Sequence, residues 1–147
     1  MLLLEPVGQR PRPLNSLQLA ALFGHTDLVL YLVKELKMDV NGVNVKNDTA
    51  VLWASRANHT ETVRCLIKLG ANLQHQNDKG STPLYWACRY GLVDMVKLLL
   101  GEGKADVNQQ RSMGLVSPIV LSAALGHTEI VECLLQHGAD VNTTITR

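Results

Sequence analysis

The feature that most constrains this chain is a helix-stopping residue that returns on a fixed period. Gly24, Asn58, Gly91 and Gly126 stand 34, 33 and 35 positions apart. Glycine and asparagine are the residue types that best tolerate the left-handed backbone conformation that ends a helix. The neighbours of each stop repeat in register. The next position holds His25, His59, Leu92 and His127, and two residues beyond it comes an acid: Asp27, Glu61, Asp94 and Glu129. A carboxylate there faces the positive end of a second helix. Thr26, Thr60 and Thr128 read as caps for that helix. Self-similarity at this period marks stacked units, none of which buries its apolar face alone.

The clearest copy is Ser81 to Leu100. Thr82 is placed to cap a helix, and Pro83 sits in its first turn, where a missing N–H costs nothing. Leu84, Ala87, Cys88 and Gly91 follow at helical spacing along one face. Asp94 opens the second helix, with Met95, Val96, Leu98 and Leu99 on its buried side. Laid over the chain, the first helices bury small residues: Ala20 and Ala21, Ala54 and Ser55, Ala87 and Cys88, Ser122 and Ala123. Small side chains let helices approach closely. The second helices bury larger ones: Leu28, Val29, Tyr31 and Leu32; Val63, Cys65 and Leu66; Met95, Val96, Leu98 and Leu99; Ile130, Val131, Cys133 and Leu134. Each unit then closes on a turn, and units one and three carry an extra lysine before it, Lys37 and Lys104.

Charge is nearly balanced, 14 basic against 13 acidic residues for a formal net of +1. No basic stripe of the kind nucleic-acid binders carry is visible, so no nucleic-acid partner is expected. Cys65, Cys88 and Cys133 form no even-numbered framework and no C-x-x-C pair, and they read as core thiols in a reducing compartment. The opening apolar run ends at Leu4 and is followed at once by Glu5 and Pro6, too short for a signal peptide. Residues 1–14 read as an extended leader, with Leu2 to Leu4 able to fold back on the first unit. No apolar run approaches transmembrane length. The expectation is a soluble, intracellular chain without membrane insertion, cytoplasmic with the nucleus left open.

Thr82-Pro83-Leu84, Gly126-His127 with Ile130-Val131, and Leu134 to Asn142 (LLQHGADVN) resemble the ankyrin repeat. The likeness runs from about Asn15 to Asn142. Departures are Ala50 in place of proline, Leu36 in place of glycine, Leu92 in place of histidine, and a turn over Gln109 to Leu115 that is one residue too long. The resemblance implies an all-α ankyrin-repeat solenoid of stacked helix-turn-helix units with β-hairpin or turn connections. Its repeats cover about 15–48, 49–81, 82–116 and 117–147. The helix pair of repeat four looks internal, so the chain reads as part of a longer array, with further ankyrin repeats or a capping segment beyond it.

His25 and His59 lie one repeat apart and His127 two repeats further on, about 10 Å per repeat between packed helices, too far to converge on one metal ion. They read as bonding within the inter-helix turn. No nucleophile elbow and no phosphate-cradling loop is present, so no catalytic residue, metal or cofactor is expected. Opposite the core stripe of the first helices lie Trp53 and Arg56 in repeat two, and Trp86, Arg89 and Tyr90 in repeat three. The resemblance implies that this stripe, with Phe23 and Leu125 in the end repeats, lines a concave groove that binds a protein partner. The matching turn-tip positions are Lys46, Asp48, Asp78 and Lys79. The alternative is that Trp53 and Trp86 only stiffen the stack. Asn41, Asn108 and Asn142 resemble the position hydroxylated in many ankyrin repeats, or simply satisfy turn backbone groups. Function therefore reads as a non-catalytic protein-interaction module. The alternatives are a substrate-recruiting adaptor arm of a ubiquitin ligase or signalling scaffold, and a spacer or tether without a dedicated groove.

Overall fold

The computed structural model describes residues 13–144 apart from positions 113 and 115. The leader read over residues 1–14 lies outside the described residues except for Pro13 and Leu14. Four helix pairs follow one another: α1 (Ser16–Leu22) and α2 (Thr26–Lys34), α3 (Ala50–Arg56) and α4 (Thr60–Lys68), α5 (Pro83–Arg89) and α6 (Val93–Gly101), α7 (Pro118–Ala124) and α8 (Thr128–Gln136). No strand occurs among the described residues, so the connections are turns.

The first helix of each pair starts on a side-chain cap. Asn15, Thr49, Thr82 and Ser117 each accept the backbone N–H three residues on, and Pro83 and Pro118 follow two of these caps. Gly24, Asn58, Gly91 and Gly126 end the first helices with φ of 70°, 63°, 68° and 74°. The second helices begin differently from expectation. Their N-caps are His25, His59, Leu92 and His127, none with a capping side-chain bond, and Thr26, Thr60 and Thr128 are already helical. The carboxylates Asp27, Glu61, Asp94 and Glu129 do sit in the first turns, where the macrodipole favours them. At the far ends, Lys37 and Lys104 take the left-handed conformation that Gly70 and Gly138 take in the other two repeats.

The helices stack in two rows, α1–α3–α5–α7 and α2–α4–α6–α8. The first row is the closer-packed one, because Ala20, Ala21, Ala54, Ser55, Ala87 and Cys88 are all but wholly buried between helices. The second row buries Val29, Val63, Leu66, Met95, Val96, Leu99, Ile130 and Leu134. Leu28, Tyr31 and Ala123 are exposed rather than buried. They lie on the two end repeats, which have a neighbouring repeat on one side only among the described residues.

The turns lock neighbouring repeats. Asp39, Asn72, Asp106 and Asp140 each accept the backbone N–H two residues on, at 2.9–3.0 Å, forming the same Asx-turn in all four repeats. Asn41 then reaches the next repeat, accepting from Asn72 N at 2.8 Å and donating to the Gly70 carbonyl. Asn108 does the same, accepting from Asp140 N at 3.0 Å and donating to the Gly138 carbonyl. Further out, the Asn44 N–H donates to the Asp48 carbonyl and the Asn77 N–H to that of Ser81; the third closure, Arg111 to Val116, is one residue longer.

Candidate functional site

Trp53 lies in the last turn of α3, and Arg56 is the final residue of that helix. In α5, Trp86 and Arg89 hold the same two positions, with Tyr90 as C-cap. Helical spacing carries all five away from the core stripe. The guanidinium of Arg56 sits over both indoles, 5.4 Å from the Trp53 ring centre and 4.8 Å from that of Trp86. The two tryptophans are therefore joined across the repeat boundary through a cation. Trp86 stacks on Tyr90 at 5.4 Å with ring planes 9° apart, and meets Tyr85 edge-on at the same distance.

These side chains differ in how much they show. Trp53 is buried, with 8% of its surface exposed, so it supports Arg56 from below and offers little surface itself. Trp86 is half-buried, and Arg56, Arg89 and Tyr90 are exposed. Arg89 has no ion-pair partner among the described residues. Phe23 and Leu125 are exposed on the same row, in the first and last repeats.

At the turn tips Lys46, Asp78 and Lys79 are exposed. Asp48 is not a tip residue in any accessible sense. It is fully buried, and its carboxylate accepts Asn77 Nδ2 at 2.9 Å and Asn44 Nδ2 at 3.2 Å. Asn77 in turn accepts the N–H groups of Lys79 and Ser81, so Asp48 ties the first turn to the second.

The histidines do more than bond within their own turns. His59 Nε2 pairs with the Leu22 carbonyl of the preceding repeat at 2.9 Å. His75 Nε2 does likewise with the Asn47 carbonyl. The thiols are unsuited to nucleophilic work. Burial raises all three pKa values, that of Cys88 from 9.0 to about 12. No group of three metal-ligating side chains converges among the described residues. No described helix is long and apolar enough to cross a membrane. A shallow depression of about 510 Å³ lined by Pro13, Leu14, Asn15, Val43, Asn44 and Val45 involves none of the aromatic-row residues.

Two members of this run, Tyr85 and Arg111, escaped the sequence analysis. Arg111, in the turn after repeat three, places its guanidinium 4.8 Å from the centre of the Tyr85 ring. Tyr85 and Arg111 have no counterpart at the same positions in another repeat, so register gave no signal for either.

Stacked helix pairs, left-handed helix stops and repeated Asx-turns define a helical-repeat solenoid. A family model described as "Ankyrin repeats (3 copies)" matches residues 17–111 and 71–145. The chain belongs to the ankyrin-repeat family. It is 36% identical over 105 residues to "Protein fem-1 homolog A-like" of Mus musculus, covering 71% of this chain and 16% of that protein. It is 34% identical over 117 residues to "Alpha-latrocrustotoxin-Lt1a" of Latrodectus tredecimguttatus, covering 79% and 8%. To "Probable E3 ubiquitin-protein ligase XBOS32" of Oryza sativa subsp. japonica it is 29% identical over 164 residues, covering 91% and 32%. The chain thus spans no more than 32% of the length of these relatives.

Proposed function

We propose that this chain is a non-catalytic protein-interaction module that holds a partner peptide or domain on its α1–α3–α5–α7 face and turn tips. The observation that carries this is the Arg56 guanidinium held over Trp53 and Trp86, beside the exposed stack of Trp86 and Tyr90. Aromatic residues and arginine dominate binding hot spots. Here they are already held by one another, so little side-chain freedom is left to lose on binding. Ankyrin repeats generally mediate protein–protein interaction, which supports the same reading. A second reading, an adaptor arm that recruits substrates to a ubiquitin ligase or signalling scaffold, draws on the likeness to the rice E3 ubiquitin-protein ligase. Both readings put the chain in the cytoplasm or nucleus.

Further repeats or a capping segment against α7 and α8 belong to this proposal, supported by the exposed Leu135 and Val141. For asparagine hydroxylation we favour Asn142, because the amides of Asn41 and Asn108 are bonded across repeats.

Affinity capture tests the reading. The intact chain, a Trp86→Ala/Arg89→Ala variant and an outer-row Arg64→Ala/Lys97→Ala variant are compared as baits. A partner lost from the first variant and retained by the second is expected. A partner retained by the first and lost from the second refutes the groove.

A further inference from the structure

We propose that the concave face takes an extended acidic segment of the partner, two of whose carboxylates are held by Arg56 and Arg111. The proposal rests on the groove reading above and supplies the chemistry of its ligand. It starts from how charge is divided between the two helix rows. Helices α1, α3, α5 and α7 contain Arg56 and Arg89 and not one aspartate or glutamate. The acids are on the other row and in the turns, among them Asp27, Glu61, Asp94 and Glu129. A chain with a formal net charge of +1 therefore presents one face whose helices carry positive charge alone.

The cations of the two rows are also treated differently. On the outer row Arg64 pairs with Glu61 at 3.0 Å and with Glu102 at 3.2 Å, and Lys97 pairs with Glu129 at 3.3 Å. On the concave side Arg56 and Arg111 lie against rings instead. A ring face stabilises the charge of a guanidinium but does not use its five N–H donors as a carboxylate would. Those donors stay available for a planar, bidentate acceptor. Arg111 adds a specific deficit. Its Nε is buried with no hydrogen-bond partner among the described residues, a shortfall that a carboxylate drawing the guanidinium out past the edge of Tyr85 would remove.

The geometry of the row indicates an extended ligand. Trp53, Arg56, Trp86, Tyr85 and Arg111 touch in that order, at 5.4, 4.8, 5.4 and 4.8 Å between successive groups. The two guanidiniums flank the Tyr85–Trp86 pair, so the cations stand at two separate points along the face, with two rings between them, rather than in one closed pocket. At the tips the exposed Lys46 and Lys79 outnumber Asp78, and the carboxylate of Asp48 is buried among turn side chains. An acidic strand lying along the row meets cations at both edges.

The test selects random dodecapeptides displayed on phage against the intact chain. Individual binders are then measured by fluorescence polarisation against the chain and against Arg56→Lys, Arg111→Lys, Trp86→Ala and Lys97→Ala. Lysine keeps the charge and gives up the planar fork, so it separates bidentate recognition from general attraction. Selected peptides should carry at least two acids. Their affinity should fall about tenfold in each Arg→Lys variant and hold in Lys97→Ala, the loss of roughly one charge-assisted hydrogen bond. Replacing the peptide acids by their amides should abolish binding. Peptides without acids that are indifferent to both lysine variants but lost on Trp86→Ala overturn the acidic ligand and leave the groove standing. A selection with no binder that depends on any concave-face residue overturns both.

Discussion

The imidazole of His59 bonds the Leu22 carbonyl across a repeat boundary at 2.9 Å and fills the space where a side chain on Gly24 would stand, with Nδ1 2.6 Å from an ideal Cβ. Gly24 thus has two reasons to be glycine, its φ of 70° and the ring above it. Gly91 stands in the same relation to His127, at 2.9 Å. Where the register puts leucine instead, at Leu92, the stop one repeat earlier is Asn58. Gly126 has only the backbone reason, with nothing among the described residues within 4 Å of an added Cβ.

That difference is measurable. Gly126→Ala should cost about 1–2 kcal/mol from the left-handed backbone alone. Gly24→Ala should cost roughly 1–3 kcal/mol more, from overpacking against the ring. In a His59→Ala background the extra cost should vanish, which urea denaturation of the double-mutant cycle would read.

Arg56 contributes to stability as well as to the binding face. Contact with two indoles, each worth about 0.5–1 kcal/mol at an exposed site, predicts that Arg56→Ala lowers stability by about 1 kcal/mol. Arg89→Ala should fall within about 0.5 kcal/mol of the parent. Thermal unfolding followed by tryptophan fluorescence separates the two.

The buried Asp48–Asn77 pair predicts a stronger effect one layer below the tips. Asn77→Ala removes a donor from a buried carboxylate and strands the N–H groups of Lys79 and Ser81. A loss of about 2–3 kcal/mol is expected. Asp78→Ala and Lys79→Ala, at the exposed tip itself, should change stability by less than about 0.5 kcal/mol.

Burial of the Cys88 thiol makes the fold lose stability at alkaline pH. Burial lifts its pKa from 9.0 to about 12, so between those values the folded chain keeps a proton that the unfolded chain releases. The folded state then binds more protons, and stability falls as pH rises from about 9 toward 12. Comparing denaturation midpoints of the parent and Cys88→Ala across that range should show a steeper decline in the parent. At pH 8 iodoacetamide should modify Cys88 far more slowly in the folded chain than in urea.

Most of the fold was legible because it is written four times. Thr82, Pro83 and Gly91 identify a cap, a first turn and a stop on local chemistry alone, and repetition of the stop fixes the stacking. Contacts between repeats were harder to read. Nothing in the spacing of His59 says that its ring turns back to Leu22 rather than to its own helix. Asp48 reads as a turn-tip charge until its neighbours Asn44 and Asn77 are seen to enclose it. Leu28 and Tyr31 follow the same pattern as buried residues elsewhere, and they differ only in belonging to an end repeat. The tryptophans and Arg56 were found through register, whereas Tyr85 and Arg111 occur once and are linked only by the fold.

The most direct measurement is hydrogen–deuterium exchange of the intact chain with and without a captured partner. Binding through the Trp53–Arg56–Trp86 row predicts slowed exchange in α3, α5 and the turns carrying Lys46 and Lys79, with α4, α6 and α8 unchanged. Protection confined to α4, α6 and α8, with α3 and α5 exchanging as in the free chain, would contradict it.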